Sequence, residues 1–360
     1  METPLNAAKP KAGTRSPGLD AVRALAVVAM VFGHTADGLL SDSERALPAV
    51  QTYWAFRGLT APLFLFVAGW AVMASVERSR LSGKALFRKR LPRVGLLLFI
   101  GYLLRFPGWD LRGLWALHTD VWSQLLGFDA LHCIAISLLA GLGVLALTES
   151  PRARTLIFGA LAVGIPLLSG VLVRAAVSAH LALPLRQPVV ADVSSPFPLL
   201  PWAAYFFAGA FCAQLLKKVS ARQGPQALAL LGVGAVLTVV CLRIGQSGLQ
   251  TSPALFGYRL GQVLVLAAGA MALPMIIATR LSLLGRSSLT VYVAHLPMVY
   301  GWGIFAGLNA RWGRSLTLLQ VAGVALVLLV FGLAVAEAIR TFKSWRARPR
   351  AGGPALPSPG

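Results

Sequence analysis

The chain has 360 residues, 57% apolar and only 12% charged, with 33 Lys and Arg against 12 Asp and Glu for a formal net charge of +21. A soluble domain carries about a quarter charged residues, so water is not the main solvent of this chain, and no stretch is left over for a soluble enzyme domain. The basic residues fall in short runs between apolar stretches and form no stripe, which reads as membrane topology and not as nucleic-acid binding.

Residues 1–18 bear Pro, Lys and Arg without an apolar run and are expected to form a disordered cytoplasmic N-terminus, neither signal peptide nor span. Runs of about 20 apolar residues can each cross a bilayer core of roughly 30 Å. They predict an all-α polytopic membrane protein of about ten transmembrane helices. The spans are expected near 19–40, 57–76, 92–107, 130–148, 155–177, 198–216, 226–244, 256–278, 282–306 and 316–339. Residues 19–340 would form one transmembrane domain, and 341–360 a disordered basic tail rich in Pro, Gly and Arg. With the N-terminus inside, 22 Lys and Arg fall in cytoplasmic segments and ten on the other side, so both termini are expected in the cytoplasm. Residues 108–129 are too polar to span yet rich in Trp and Leu, which suits an interfacial or re-entrant segment over the outer mouth. Cys133, Cys212 and Cys241 lie in separate predicted spans without CxxC spacing and read as small core hydrophobes.

Ionisable groups inside a span are costly and are candidates for function. The first span supplies Asp20, Arg23, His34 and Asp37. Eleven helical steps return to within roughly 20° of the same direction, so Arg23 and His34 project from one face, about 16 Å apart along the axis. Asp20 with Arg23, and His34 with Asp37, are three apart and can pair. A carboxylate on one ring nitrogen of His34 would fix its tautomer and raise its basicity, as a general base requires. The bland alternative has Arg23 reaching the cytoplasmic interface and His34 capping the outer end of the helix.

In the second span, TAPLFLFVAGW carries Pro62 and Gly69, which would kink the helix or admit a close neighbour. PFPLLPWAAYFFAG, with Pro196, Pro198 and Pro201, suits a shaped external mouth at the start of the sixth span, and Trp202 stands there. His132 and His295 lie in or at the ends of spans, whereas His118 and His180 fall in outer loops. No pair of histidines has metal-ligand spacing, so no metal is expected, and there is no nucleophile elbow, Walker loop or dinucleotide fingerprint.

GLDAVRALAVVAMVFGH resembles the opening of the transmembrane acyltransferase superfamily, in which an Arg or Lys, ten residues and a His mark the first helix. LSLLGRSSLTVYVAHLPMVYG is similar to the late LGRxSLxIYLxHxP segment of these proteins, and APLFLFVAGW to their PxFxFxxGF-like second helix. GFDALHCIAISLL together with FPLLPWAAYFFAGAFCAQ most resembles the branch named after heparan-α-glucosaminide N-acetyltransferase, with the acyltransferase-3 branch second. The likeness covers roughly residues 15–340, and one departure is Ala24, where the usual LDxxRG has glycine.

The resemblance implies an acyltransferase that moves an acetyl or similar group from cytoplasmic acyl-CoA to a hydroxyl or amine of a glycan-type acceptor across the membrane. Arg23, with Arg88, Lys89, Arg90 and Arg93, would draw the donor phosphates by charge and hydrogen bonding. His34 would act as base or acyl carrier with Asp37 orienting it, supported by Asp20, His132, His295 or Trp202. Acyl-CoA is then a co-substrate, and no cofactor is bound permanently. The partners implied are the bilayer of a multi-pass integral membrane protein, which in a bacterium is the inner (plasma) membrane, the donor, a carbohydrate or glycolipid acceptor and a second copy in a homodimer, with no nucleic acid. The rival readings are a proton-coupled transporter and a polymer-export protein of similar topology.

Overall fold

Apolar backbone without water must satisfy its hydrogen bonds within the segment, so these runs become helices. A computed structural model gives the fold and describes residues 17–79, 81, 83–106, 115–116, 118–219, 223–245 and 249–346. The expectations for residues 1–16 and 347–360, and for most of 107–117, lie outside the described residues. Among those described there is no β-strand.

The helices are α1 (Pro17–Leu39), α2 (Asp42–Arg45), α3 (Pro48–Arg57), α4 (Thr60–Ser79), α5 (Gly83–Arg105), α6 (Thr119–Leu126), α7 (Ala130–Leu147) and α8 (Pro151–Ser178). They continue as α9 (Leu183–Arg186), α10 (Leu199–Val219), α11 (Gln223–Ile244), α12 (Pro253–Met271), α13 (Met275–Arg286), α14 (Ser288–Tyr300), α15 (Leu308–Trp312) and α16 (Leu318–Arg346).

Seven of them, α1, α7, α8, α10, α11, α12 and α16, are long and apolar enough to cross a membrane. Three of the expected spans fall short of that, each for a local reason. α4 is apolar only over Thr60–Val76. α5 opens on Lys84, Arg88, Lys89, Arg90 and Arg93, which leaves a short apolar remainder. The ninth run, expected unbroken over 282–306, is two helices: α13 ends at Arg286, Ser287 leaves helical geometry (φ −90°, ψ 1°), and α14 stops before Gly301 at φ 88°. The eighth run stops at Met271 instead of 278, because Pro274 cannot continue a helix and instead caps α13. α16 spans about 43 Å, more than a core of roughly 30 Å. Its basic turns, Arg340, Lys343 and Arg346, therefore continue as helix where a disordered tail was expected from 341.

α1 lies at the centre. Of its most apolar window 67% is buried, against 22% for α8, α11 and α16, which keep most of their surface outward. Ala21, Ala24, Val27 and Ala36 on α1 are fully buried, so the methyl of Ala24 is accommodated where the family pattern has glycine. The tightest crossing joins α4 to α10. A Cβ at Gly69 would lie 1.8 Å from the Phe206 carbonyl oxygen, and one at Gly209 1.9 Å from that of Phe66, so the two backbones touch and only glycine fits at either place. Gly69 thus admits a close neighbour. Pro62 sits in the first turn of α4, where no helical hydrogen bond is lost.

Around the end of the bundle that holds His34, loops are tied by side chains. The Ser195 hydroxyl donates to the Gln187 carbonyl (2.9 Å) and accepts from the Phe128 N–H (2.6 Å), which joins the 182–198 segment to the start of α7. Arg105 donates to the Gln124 carbonyl (2.8 Å), holding α6 against the end of α5.

Candidate functional site

A cavity of about 1170 Å³ runs alongside α1, walled by α4, α5, α7, α10 and the α13–α14 pair. Ligand sites are commonly about 300–1,000 Å³, so there is room for a large, elongated molecule. Arg23 and His34 both line it, as their shared helix face requires.

One end is basic, lined by Arg23, Arg90, Arg93, Lys217 and Arg286, with Asp20, Gln223 and Gln226 among them. Asp20 is 1% exposed and accepts from Arg23 Nη1 at 3.0 Å, while Arg286 Nε stands 3.7 Å from its other oxygen. This three-membered ion cluster depends on Gly285. A Cβ there would lie 2.0 Å from the Asp20 carbonyl oxygen, so the glycine lets α13 close on α1 and delivers Arg286 to the carboxylate. Helical periodicity sorts the basic run on α5. Leu86, Arg90, Arg93 and Leu97, spaced four, three and four apart, line the cavity, whereas Arg88 and Lys89, as exposed as Arg90 and Arg93, do not. Arg90 also donates to Ser75 on α4.

The other end holds His34. Its Nδ1 lies 2.9 Å from Nε2 of His295, and His295 Nδ1 lies 2.7 Å from the Val291 carbonyl oxygen. A carbonyl can only accept, so His295 carries its proton on Nδ1 and offers Nε2 as an acceptor. His34 must then donate from Nδ1, which leaves Nε2 as the nitrogen with the lone pair. His34 lines the cavity, and His295, fully buried, stands behind it. The Tyr300 hydroxyl shares its one proton between Asp37 (3.1 Å) and the His34 carbonyl (3.3 Å). One ring partner of His34 is therefore a histidine from α14, and Asp37 is tied to the end of the same helix through Tyr300.

Two other expected residues divide. Trp202 lines the cavity and is 5% exposed. His132 is fully buried but lies outside the lining: its Nδ1 engages Asp129 (2.9 Å) in the capping box of α7, and its ring packs on Gly101 and Tyr102.

The sequence reading did not place Lys217, Gln223, Gln226, Arg286, Tyr292 or Tyr300 at the site. Arg286 had a signal, since it stands inside LGRSSL, the stretch that also leads to His295.

A family profile described as an acyltransferase domain, that of the acyltransferase-3 family, matches residues 16–337. The chain belongs to the acyltransferase-3 family. No curated protein matches it. The branch placed second on the motifs is thus the one supported, not the branch named after the heparan enzyme. The seven apolar spans and the family together make this an integral membrane acyltransferase. In this acyltransferase the Arg23 and His34 motif residues stand at opposite ends of one cavity.

Proposed function

We propose that the protein takes an acyl group, acetyl or similar, from acyl-CoA at the basic end of the cavity and passes it to a hydroxyl or amine of a glycan-type acceptor at the His34 end. The observation that carries this reading is the single cavity joining five cations to an imidazole whose tautomer is set. Phosphates of the donor bind Arg23, Arg90, Arg93, Lys217 and Arg286 by charge-assisted hydrogen bonds. The pantetheine arm follows α1 for about 16 Å, placing the thioester beside His34. His34 Nε2 takes the acceptor proton as the acceptor oxygen or nitrogen attacks the thioester carbonyl. The C–S bond then breaks, and the thiolate leaves with the proton held on His34. In the membrane, α4, α5 and the α13–α14 pair complete a bundle of about ten crossings, with the basic end and both termini cytoplasmic by the excess of Lys and Arg there.

The test is release of free CoA thiol and transfer of labelled acetyl by the purified protein in liposomes, with a mixed glycan extract as acceptor. Thiol release that depends on acceptor is the expected result, and no consumption of acetyl-CoA would end the reading. The α5 periodicity sharpens it. Arg90→Ala and Arg93→Ala should each raise the donor KM about tenfold, and Arg88→Ala and Lys89→Ala by less than about twofold. Equal effects from all four would remove the cavity from the argument and leave a diffuse charge effect.

A further inference from the structure

Arg259 on α12 is not used by the mechanism above. It is only partly exposed within an apolar span, and no salt bridge involves it among the described residues. An intramembrane cation without a carboxylate is costly and calls for a purpose. Its guanidinium lies 5.9 Å over the Trp202 ring. It also reaches the edge of the cavity at Gly58, where a Cβ would stand 3.0 Å from Nη2, so the guanidinium lies close against that glycine and would have to give by a few tenths of an ångström for any larger residue. The Trp202 indole N–H, buried in the cavity wall, has no hydrogen-bond partner among the described residues. An indole N–H can only donate, as can a guanidinium, so this corner gathers donors and positive charge, and among the described residues no carboxylate pairs with Arg259.

The corner belongs to the His34 end. Arg23 donates to the Val67 carbonyl, and Tyr53, ahead of α4, donates to the Ala29 carbonyl (3.4 Å), so moving up α1 toward His34 means moving down in number toward Gly58. The donor phosphates are held at the other end.

We infer that Gly58, Trp202 and Arg259 form an anion-recognition corner for the acceptor, selecting substrates that carry a carboxylate or phosphate next to the group that is acylated. Its place as an acceptor site rests on the proposed function, whereas binding at the corner does not. The full-length protein, purified and saturated with CoA so that the basic end is filled, is titrated with glucuronate, glucose 6-phosphate and glucose, and binding is read from tryptophan quenching.

One or both anionic sugars should bind roughly tenfold or more tightly than glucose, and their order tells a carboxylate from a phosphate preference. Arg259→Gln should bring that ratio within about threefold, Arg259→Lys should keep part of it, and Trp202→Phe, which retains the ring, should weaken anion binding about threefold. Equal binding of all three sugars by the wild type, or no saturable binding, overturns the inference. So does a charge preference that survives in Arg259→Gln. If the preference holds but acetyl-CoA is never consumed, the corner stands and the enzymatic reading falls.

Discussion

Replacing His34 by Ala should lower acyl transfer by about 10³-fold while leaving donor binding and the folded state unchanged, because general bases are worth about 10²–10⁴. His34 lines the cavity 11 residues beyond Arg23, so its loss leaves the ion cluster at the other end intact. The more informative variants are at His295. His295→Gln can still accept the proton on His34 Nδ1, whereas His295→Leu cannot, and the proton is then free to move to Nε2 and remove the basic nitrogen from the reaction. His295→Leu should cost about 10²-fold in kcat with little change in KM, and His295→Gln about tenfold or less. A residue that merely packs would give the reverse, since Leu suits a buried apolar site better than Gln. Equal losses from both variants would reduce His295 to a structural role. A fully active His34→Ala with normal thiol release would mean that another group takes the acceptor proton.

Arg23 and His34 were legible together because a helix of known pitch converts a spacing into a shared face, and nothing in the tertiary structure can undo that. Arg90 and Arg93 could be separated from Arg88 and Lys89 by the same rule, and their grouping as one run reflects charge being read without periodicity. The partner of His34 was not legible. It comes from α14, 261 residues away in the chain, and the break at Ser287 that sets this helix apart from α13 is marked only by Arg286 and the serines after it, which a reading of one continuous apolar run passes over. Lys217 and Arg286 counted as topology signals, which they are by sequence position, yet their side chains line the cavity. The apolar runs are readable as helical, except that the ninth is two helices. Which of them cross a bilayer depends on how α5 and the α13–α14 pair carry their charges among neighbours, and composition alone does not contain that.

The second large effect should come from Asp20→Asn. The carboxylate is almost fully buried between Arg23 and Arg286, and the amide that replaces it leaves one acceptor oxygen for two guanidinium groups and turns a donor toward the other. Breaking a buried ion pair costs about 3–5 kcal/mol, and the lower figure applies here because Arg286 is half exposed. The side chain of Arg286 retains 48% of its exposure, so solvent screens part of the repulsion. The variant should therefore unfold at clearly lower temperature in detergent and bind donor weakly, since Arg23 loses the group that holds it. Adding Arg286→Gln to Asp20→Asn removes the surplus charge and should restore much of the stability without restoring donor binding, a non-additivity that a double-mutant cycle reads directly. The close approach at Gly285 gives an independent handle. Gly285→Val must push α13 from the Asp20 carbonyl, and should reproduce the loss of donor binding with all three charges present. Should Asp20→Asn prove as stable as the wild type, the three charges are held apart by water in the cavity and the cluster does not fasten α13 to α1.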